Sequence, residues 1–133
     1  MIQVEYSSSG IKVDVGMISK YNSGNPDFEL LPRMLELHKA KNYGPYAQDD
    51  ELWVCFTGSN HTTGGNSGSP VLDENGYLMG LNFDRSWEST MSDYLFDPNR
   101  CRNIVVDIRY VLWVMDIYSG AKHLVDEMTL MKE

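Results

Sequence analysis

Ser67 stands in the run Thr62-Thr63-Gly64-Gly65-Asn66-Ser67-Gly68-Ser69-Pro70-Val71. A serine hydroxyl attacks a carbonyl only where it is exposed on a tight turn whose backbone N–H groups can also receive the oxyanion. Glycines on both sides of Ser67 permit such a turn. In a Gly-x-Ser-Gly arrangement the N–H groups of Gly65 and Ser67 can converge on one point. The chemistry this pattern points to is acyl transfer through a Ser67 ester, which needs no metal or other cofactor. The plain alternative is a surface loop, because Gly, Ser and Asn are the commonest loop residues and the four-residue pattern alone is weak.

A serine nucleophile needs a general base, and the three histidines do not supply an obvious one. His38 falls on an expected helix and His123 on the final one; His61, six residues before Ser67, cannot easily fold back onto it. All three read as surface or packing residues. Cys55 and Cys101 lack metal-binding spacing, and Cys55 lies in the apolar run Leu52-Trp53-Val54-Cys55-Phe56, so a buried thiol is favoured over a disulfide. Trp53, Trp87 and Trp113 read as packing residues rather than ligand platforms. Asp49-Asp50-Glu51 reads as a solvated approach to a strand, not a calcium loop.

Eleven Lys and Arg against nineteen Asp and Glu give a formal charge of −8, which disfavours nucleic acid and anionic membrane surfaces as partners. No stretch is apolar enough for a membrane span, and no signal peptide is legible at Met1. The 133 residues suit one domain. Residues 2–6 and 11–15 alternate around Ser7-Ser8-Ser9-Gly10 as a hairpin would. Leu30, Leu31, Met34, Leu35 and Leu37 have helical spacing, predicting a helix over 29–42. Strands are expected at 52–57, 71–72, 78–83 and 104–106, the middle pair joined by a hairpin at Asn75-Gly76. The candidate loop spans 58–70. Asp107 is placed to cap the first of the helices expected over 108–131.

The string around Ser67, followed by Gly80-Leu81-Asn82-Phe83-Asp84-Arg85-Ser86-Trp87-Glu88, Met91-Ser92-Asp93 and Val106-Asp107-Ile108-Arg109-Tyr110, resembles the bacterial dipeptidyl peptidase 7 and 11 family of serine peptidases. The segment from Phe28 to Gly44 adds to the likeness, which runs from about Gly10 to Met128. The resemblance implies a mainly β architecture with flanking helices, one six-stranded half of a chymotrypsin-like double β-barrel. It implies Ser67 as nucleophile, with the Gly65 and Ser67 amides as oxyanion donors. Asn82 and Phe83 would wall the specificity pocket, and Asp84 would help bind the substrate α-amino group. Arg85, eighteen residues after Ser67, occupies the position that sets specificity. The branch preferring apolar residues has Gly there, and the Asp/Glu-specific branch has Arg.

The same resemblance implies peptide substrates, a periplasmic or cell-envelope setting, and a parent enzyme that can be a homodimer. It also implies a preceding barrel carrying the triad His and Asp. Neither has a counterpart in this sequence, so the expectation is an excised segment or truncated product, inactive on its own. Two rivals remain. A glutamyl endopeptidase shares Gly-Asn-Ser-Gly-Ser-Pro-Val but typically has His where Asn82 stands, and a non-catalytic binding module could keep the fold without the base. Asp84 could equally be a turn residue, and Arg85 a surface arginine at the end of a hairpin.

Overall fold

The computed structural model describes residues 10–131. Five strands form one sheet in the order β1-β2-β5-β4-β3: β1 (Ile11–Lys12), β2 (Trp53–Gly58), β3 (Pro70–Leu72), β4 (Leu78–Arg85) and β5 (Asn103–Asp107). Helices α1 (Val13–Gly16), α2 (Pro32–Lys39), α3 (Ile108–Trp113) and α4 (Lys122–Asp126) accompany it. This is a mixed architecture rather than the mainly β one expected, and among the described residues the sheet has five strands, not six. The chain divides into two compact units, one holding Cys55–Ile108 and the other Ile11–Val54 with the segment from Arg109 onward.

The first unit is the antiparallel sheet region. β5 pairs with β2 on one side (Phe56 opposite Val105) and with β4 on the other (Asn82 opposite Val105). Phe56, Val71 and Val105 are buried together, with Met79 against them. Val71 and Val105 alternate with more exposed neighbours, as a half-buried sheet requires, whereas Cys55 is buried beside Phe56. The β3–β4 hairpin forms where expected, by a different device. Asp73 Oδ1 accepts the N–H groups of Asn75 and Tyr77, both at 2.8 Å, and only Gly76 of the Asn-Gly pair has positive φ. The β4–β5 register shifts between Asn82 and Asp84, making Phe83 the extra residue of a bulge. A bulge re-aims the side chains beyond it. Asn82 faces inward, while Phe83 and Asp84 are both exposed.

The second unit is built on aromatic residues. Trp113 is fully buried, lies 5.8 Å from the ring of Tyr110 and meets Tyr43 edge-on, and its indole N–H donates to Asn42 O at 2.9 Å. Met34 and Leu37 form the buried face of α2, which is shorter than predicted because Pro32 starts it and Ala40 ends it. Tyr46 is buried and donates to Asp116 at 2.7 Å. Burial first, and the neighbouring carboxylate second, push its phenol up to about 12. After Trp113 the helix widens into one π turn, Val114–Tyr118.

Several sequence expectations are corrected. The first expected strand, 2–6, lies outside the described residues. The second, 11–15, is a strand only at Ile11–Lys12. Val13 is buried and Met17 N–H closes a helical turn on its carbonyl at 3.0 Å, so a short alternating run has become helix. Asp49 and Asp50 are exposed just ahead of β2, as expected, and the approach takes the form of a tight turn with φ of 53° and 60° between bridged Gln48 and Glu51. Cys55 and Cys101 are buried and are not joined in a disulfide, the favoured expectation. Trp113 packs in a core and Trp53 lies beneath the Lys12 ammonium, whereas Trp87 is 85% exposed. Among the described residues no helix is long and apolar enough to cross a membrane.

Candidate active site

The loop between β2 and β3 is shaped by a few hydrogen bonds. Asn66 N–H donates to Thr63 O at 3.2 Å, and Asn66 Oδ1 accepts Thr63 N–H at 2.9 Å. Ser69 N–H then donates to Asn66 O at 3.1 Å, closing a four-residue turn with Ser67 and Gly68 at its centre. Gly68 has φ of +82°, which the third position of a type II turn demands, and Gly65 has φ of +95°. The turn is tied to β4 at two points, Gly68 N–H to Asn82 O at 2.7 Å and Asn82 N–H to Ser69 O at 2.9 Å.

Ser67 is exposed at the tip of this turn, and so is Gly65. Among the described residues, neither the Gly65 nor the Ser67 N–H has a hydrogen-bond acceptor, and the Ser67 hydroxyl has no partner. An exposed hydroxyl beside two uncommitted donors meets two requirements of acyl transfer. The third, a base in hydrogen-bond reach, is not met by the one histidine of this unit. His61 Nε2 is 3.0 Å from Ser92 O, and its ring stacks on Phe96 at 4.7 Å. His38, in the other unit, is 2.8 Å from the Tyr43 hydroxyl, and His123 there is exposed on α4.

Arg85 ends β4, with its side chain only 22% exposed. Its guanidinium is gripped side by side by Asp93, Nη1 to Oδ1 and Nη2 to Oδ2, both at 2.7 Å. Nη1 also reaches Ser92 Oγ at 3.2 Å and Thr62 O at 3.4 Å, while Thr63 Oγ1 donates to Asp93 Oδ1 at 2.8 Å. The Arg85 fork first, then the Thr63 hydroxyl, hold the Asp93 carboxyl well below the usual carboxylate range, and the pairing raises Arg85 in turn. Asp84 is exposed and turns its Oδ1 to the Arg85 N–H at 2.8 Å. Phe83 is half-exposed, and Asn82 is 4% exposed with its amide engaged inside the unit.

Ser67, Gly65, Asn82, Phe83, Asp84 and Arg85 therefore lie on one loop and the strand hydrogen-bonded to it. Sequence reasoning missed the partners: Asp93, Ser92 and Thr63 around Arg85, and Asn103 behind Asn82. Asp93 reaches Arg85 because the 3₁₀ helix Trp87–Asp93 folds the chain back, a spacing of eight that matches no regular period. The signal for Asn103 was a polar residue beginning an otherwise apolar strand, Asn103-Ile104-Val105-Val106.

Comparison with known proteins agrees with this arrangement of elements. The chain is 54% identical over 115 residues to an Asp/Glu-specific dipeptidyl-peptidase of Flavobacterium psychrophilum, a match covering 86% of this chain and 16% of the relative. It is 52% identical over 118 residues to an Asp/Glu-specific dipeptidyl-peptidase of Capnocytophaga gingivalis, covering 88% of this chain and 17% of that one. The crystal structure of Porphyromonas endodontalis DPP11 in complex with the dipeptide Arg-Glu superposes with a TM-score of 0.85 at 38% identity, over 95% of this chain and 19% of that one. The chain thus spans about a sixth of the length of these curated relatives. The family model Peptidase S46 matches residues 12–130, nearly the whole sequence, and the chain belongs to that peptidase family.

Proposed function

We propose that this chain is the nucleophile-bearing C-terminal barrel of a chymotrypsin-like serine dipeptidyl peptidase that releases N-terminal dipeptides after Asp or Glu. The observation that carries the reading is the Ser67 turn. Its hydroxyl is exposed at the tip, glycines with positive φ flank it, and the Gly65 and Ser67 N–H groups lack any acceptor among the described residues. In this reading Ser67 attacks the substrate carbonyl, and its proton passes to a histidine on a first barrel elsewhere in the peptidase. An aspartate there orients that histidine, and the Gly65 and Ser67 amides receive the developing oxyanion.

Arg85 is the group that selects an acidic side chain on the acyl side of the scissile bond. Its position eighteen residues past Ser67, at the end of β4, supports the role, as do the Asp/Glu-specific relatives. Asn82 and Phe83 wall the pocket, and Asp84 binds the substrate α-amino group. Because Asp93 occupies the Arg85 fork, the substrate carboxylate meets the guanidinium through its remaining N–H donors. The test is covalent: a serine-reactive fluorophosphonate incubated with the complete peptidase, followed by peptide mapping, should label Ser67 and stop release of fluorophore from dipeptide substrates ending in Asp or Glu. Labelling elsewhere, or turnover that survives Ser67→Ala, would overturn the assignment.

A further inference from the structure

Asn82 touches the turn on both sides of Ser67. Its side-chain Nδ2 donates to Asn66 O at 3.2 Å, holding the peptide before Ser67. Its backbone O accepts Gly68 N–H at 2.7 Å, holding the peptide after Ser67. The first contact matters for chemistry because Asn66 C=O and Ser67 N–H belong to one planar trans peptide and point in opposite directions. A donor that pulls the carbonyl inward therefore aims the N–H outward, and that N–H has no acceptor among the described residues.

A second amide fixes which way the Asn82 side chain faces. Asn103 Nδ2 donates to Asn82 Oδ1 at 2.9 Å, so the Asn82 oxygen is turned toward β5 and its NH2 toward the loop. Asn103 is itself held from behind, its Oδ1 accepting Asn60 N–H at 3.2 Å. A side chain at position 58 would lie 2.7 Å from that oxygen, so Gly58 leaves the room Asn103 needs. Both asparagines are almost fully buried, at 4% and 1% exposure, where a reversed amide would set oxygen against oxygen with no water to relieve it.

We infer that Asn103 and Asn82 form an amide relay that aims the Ser67 N–H, making Asn82 a positioning residue for the oxyanion hole as well as part of the pocket wall. The inference rests on the reading of Ser67 as nucleophile. It separates positioning from specificity: the relay acts on the transition state of every substrate, while Arg85 acts on the acidic ones.

The experiment measures kcat, KM and the affinity for a dipeptide boronate, which forms a tetrahedral adduct, in the complete peptidase. Asn82→Ala and Asn103→Asp are compared with the parent. The second variant keeps Asn82 but replaces the donor that orients it, so the Asn82 amide reverses and presents oxygen to Asn66 O. Removing an oxyanion donor outright costs about 10²–10³ in kcat, and misaiming one should cost about 10- to 100-fold. In Asn103→Asp, which leaves the pocket wall in place, KM and the preference for Asp or Glu over Leu should stay within about twofold, and in both variants boronate affinity should fall in step with kcat. Asn82→Ser serves if Asn82→Ala does not fold. An unchanged kcat, or a loss confined to KM or to the Asp/Glu preference, would overturn the relay. Ser67→Ala is run alongside: residual turnover there would sink the nucleophile assignment itself, whereas a dead Ser67→Ala with an unaffected Asn82→Ala would sink only the relay.

Discussion

The Ser67 turn and the Arg85 clamp lie on neighbouring stretches of the same unit and treat their polar groups in opposite ways. The turn leaves a hydroxyl and two N–H donors uncommitted, while Asn66 O accepts the Ser69 N–H and the Asn82 side-chain amide and Ser69 O accepts the Asn82 N–H. The clamp leaves little free: Arg85 is gripped by Asp93, touched by Ser92 and Thr62, and Asp93 is held again by Thr63. Backbone donors fixed by the fold need no counter-charge before substrate arrives. A guanidinium in a partly buried site does need one. Under the proposed function, the reactive part of the site is open in the resting state and the selective part is already paired.

The sharpest way to break that contrast is at Ser67. In the complete peptidase, Ser67→Ala should lower kcat by about 10⁴- to 10⁶-fold, as loss of a serine nucleophile does elsewhere. Because the side chain is exposed and unpartnered, the melting temperature should hardly move. Steady-state turnover and a thermal melt on the same preparation check both halves. Residues 1–133 alone should show no turnover, since no histidine of this unit reaches Ser67.

The clamp should respond more modestly and only in selectivity. Arg85→Gly should reduce the preference for Asp or Glu over Leu by about 10- to 100-fold, the worth of one charge-assisted contact in a partly desolvated pocket. Lys at that position should recover only part, because an ammonium supplies charge without the planar fork. The ratio of kcat/KM between acidic and apolar dipeptide substrates reads this directly, and an unchanged ratio would remove Arg85 from the selectivity argument.

How much of this was legible beforehand differs between the two regions for a physical reason. The turn is local in sequence: three glycines, two serines and a proline within the seven residues 64–70 restrict the backbone enough that Ser67 and Gly65 could be named. The strands β2, β3, β4 and β5 announced themselves by apolar runs and turn residues, within one or two residues of their ends. The clamp and the relay are not local. Asp93 lies in the segment between β4 and β5 and Asn103 opens β5, and their pairing depends on the fold-back of the 3₁₀ segment and on the β4–β5 register. The bulge at Phe83 was equally hidden, because an extra residue in one strand leaves no mark on the alternation of its partner. The N-terminal run failed differently: Ile11, Val13 and Val15 fit a strand, but Met17 N–H bonds to Val13 O and closes a helical turn instead.

The smallest expected effect sharpens the comparison most, because it asks what Asp93 does. If Asp93 holds the guanidinium in place, Asp93→Asn keeps the shape, removes one charge, and lowers the Asp/Glu preference by several-fold, less than Arg85→Gly does. If Asp93 merely competes with substrate, the same substitution raises the preference, and the positioning view of the clamp fails. The pH dependence provides a second reading. Arg85 and Thr63 depress the Asp93 pKa in the folded chain, so the carboxylate form is favoured by folding. A depressed acid contributes stability above its unfolded value, about 3.9 for an aspartate, and loses that contribution as pH falls toward the folded value below it. The gap in melting temperature between the parent and Asp93→Asn should therefore be constant from neutral pH down to about pH 5 and close only in stronger acid. A gap that closes between pH 7 and 5 would mean that a group other than Asp93 governs the clamp.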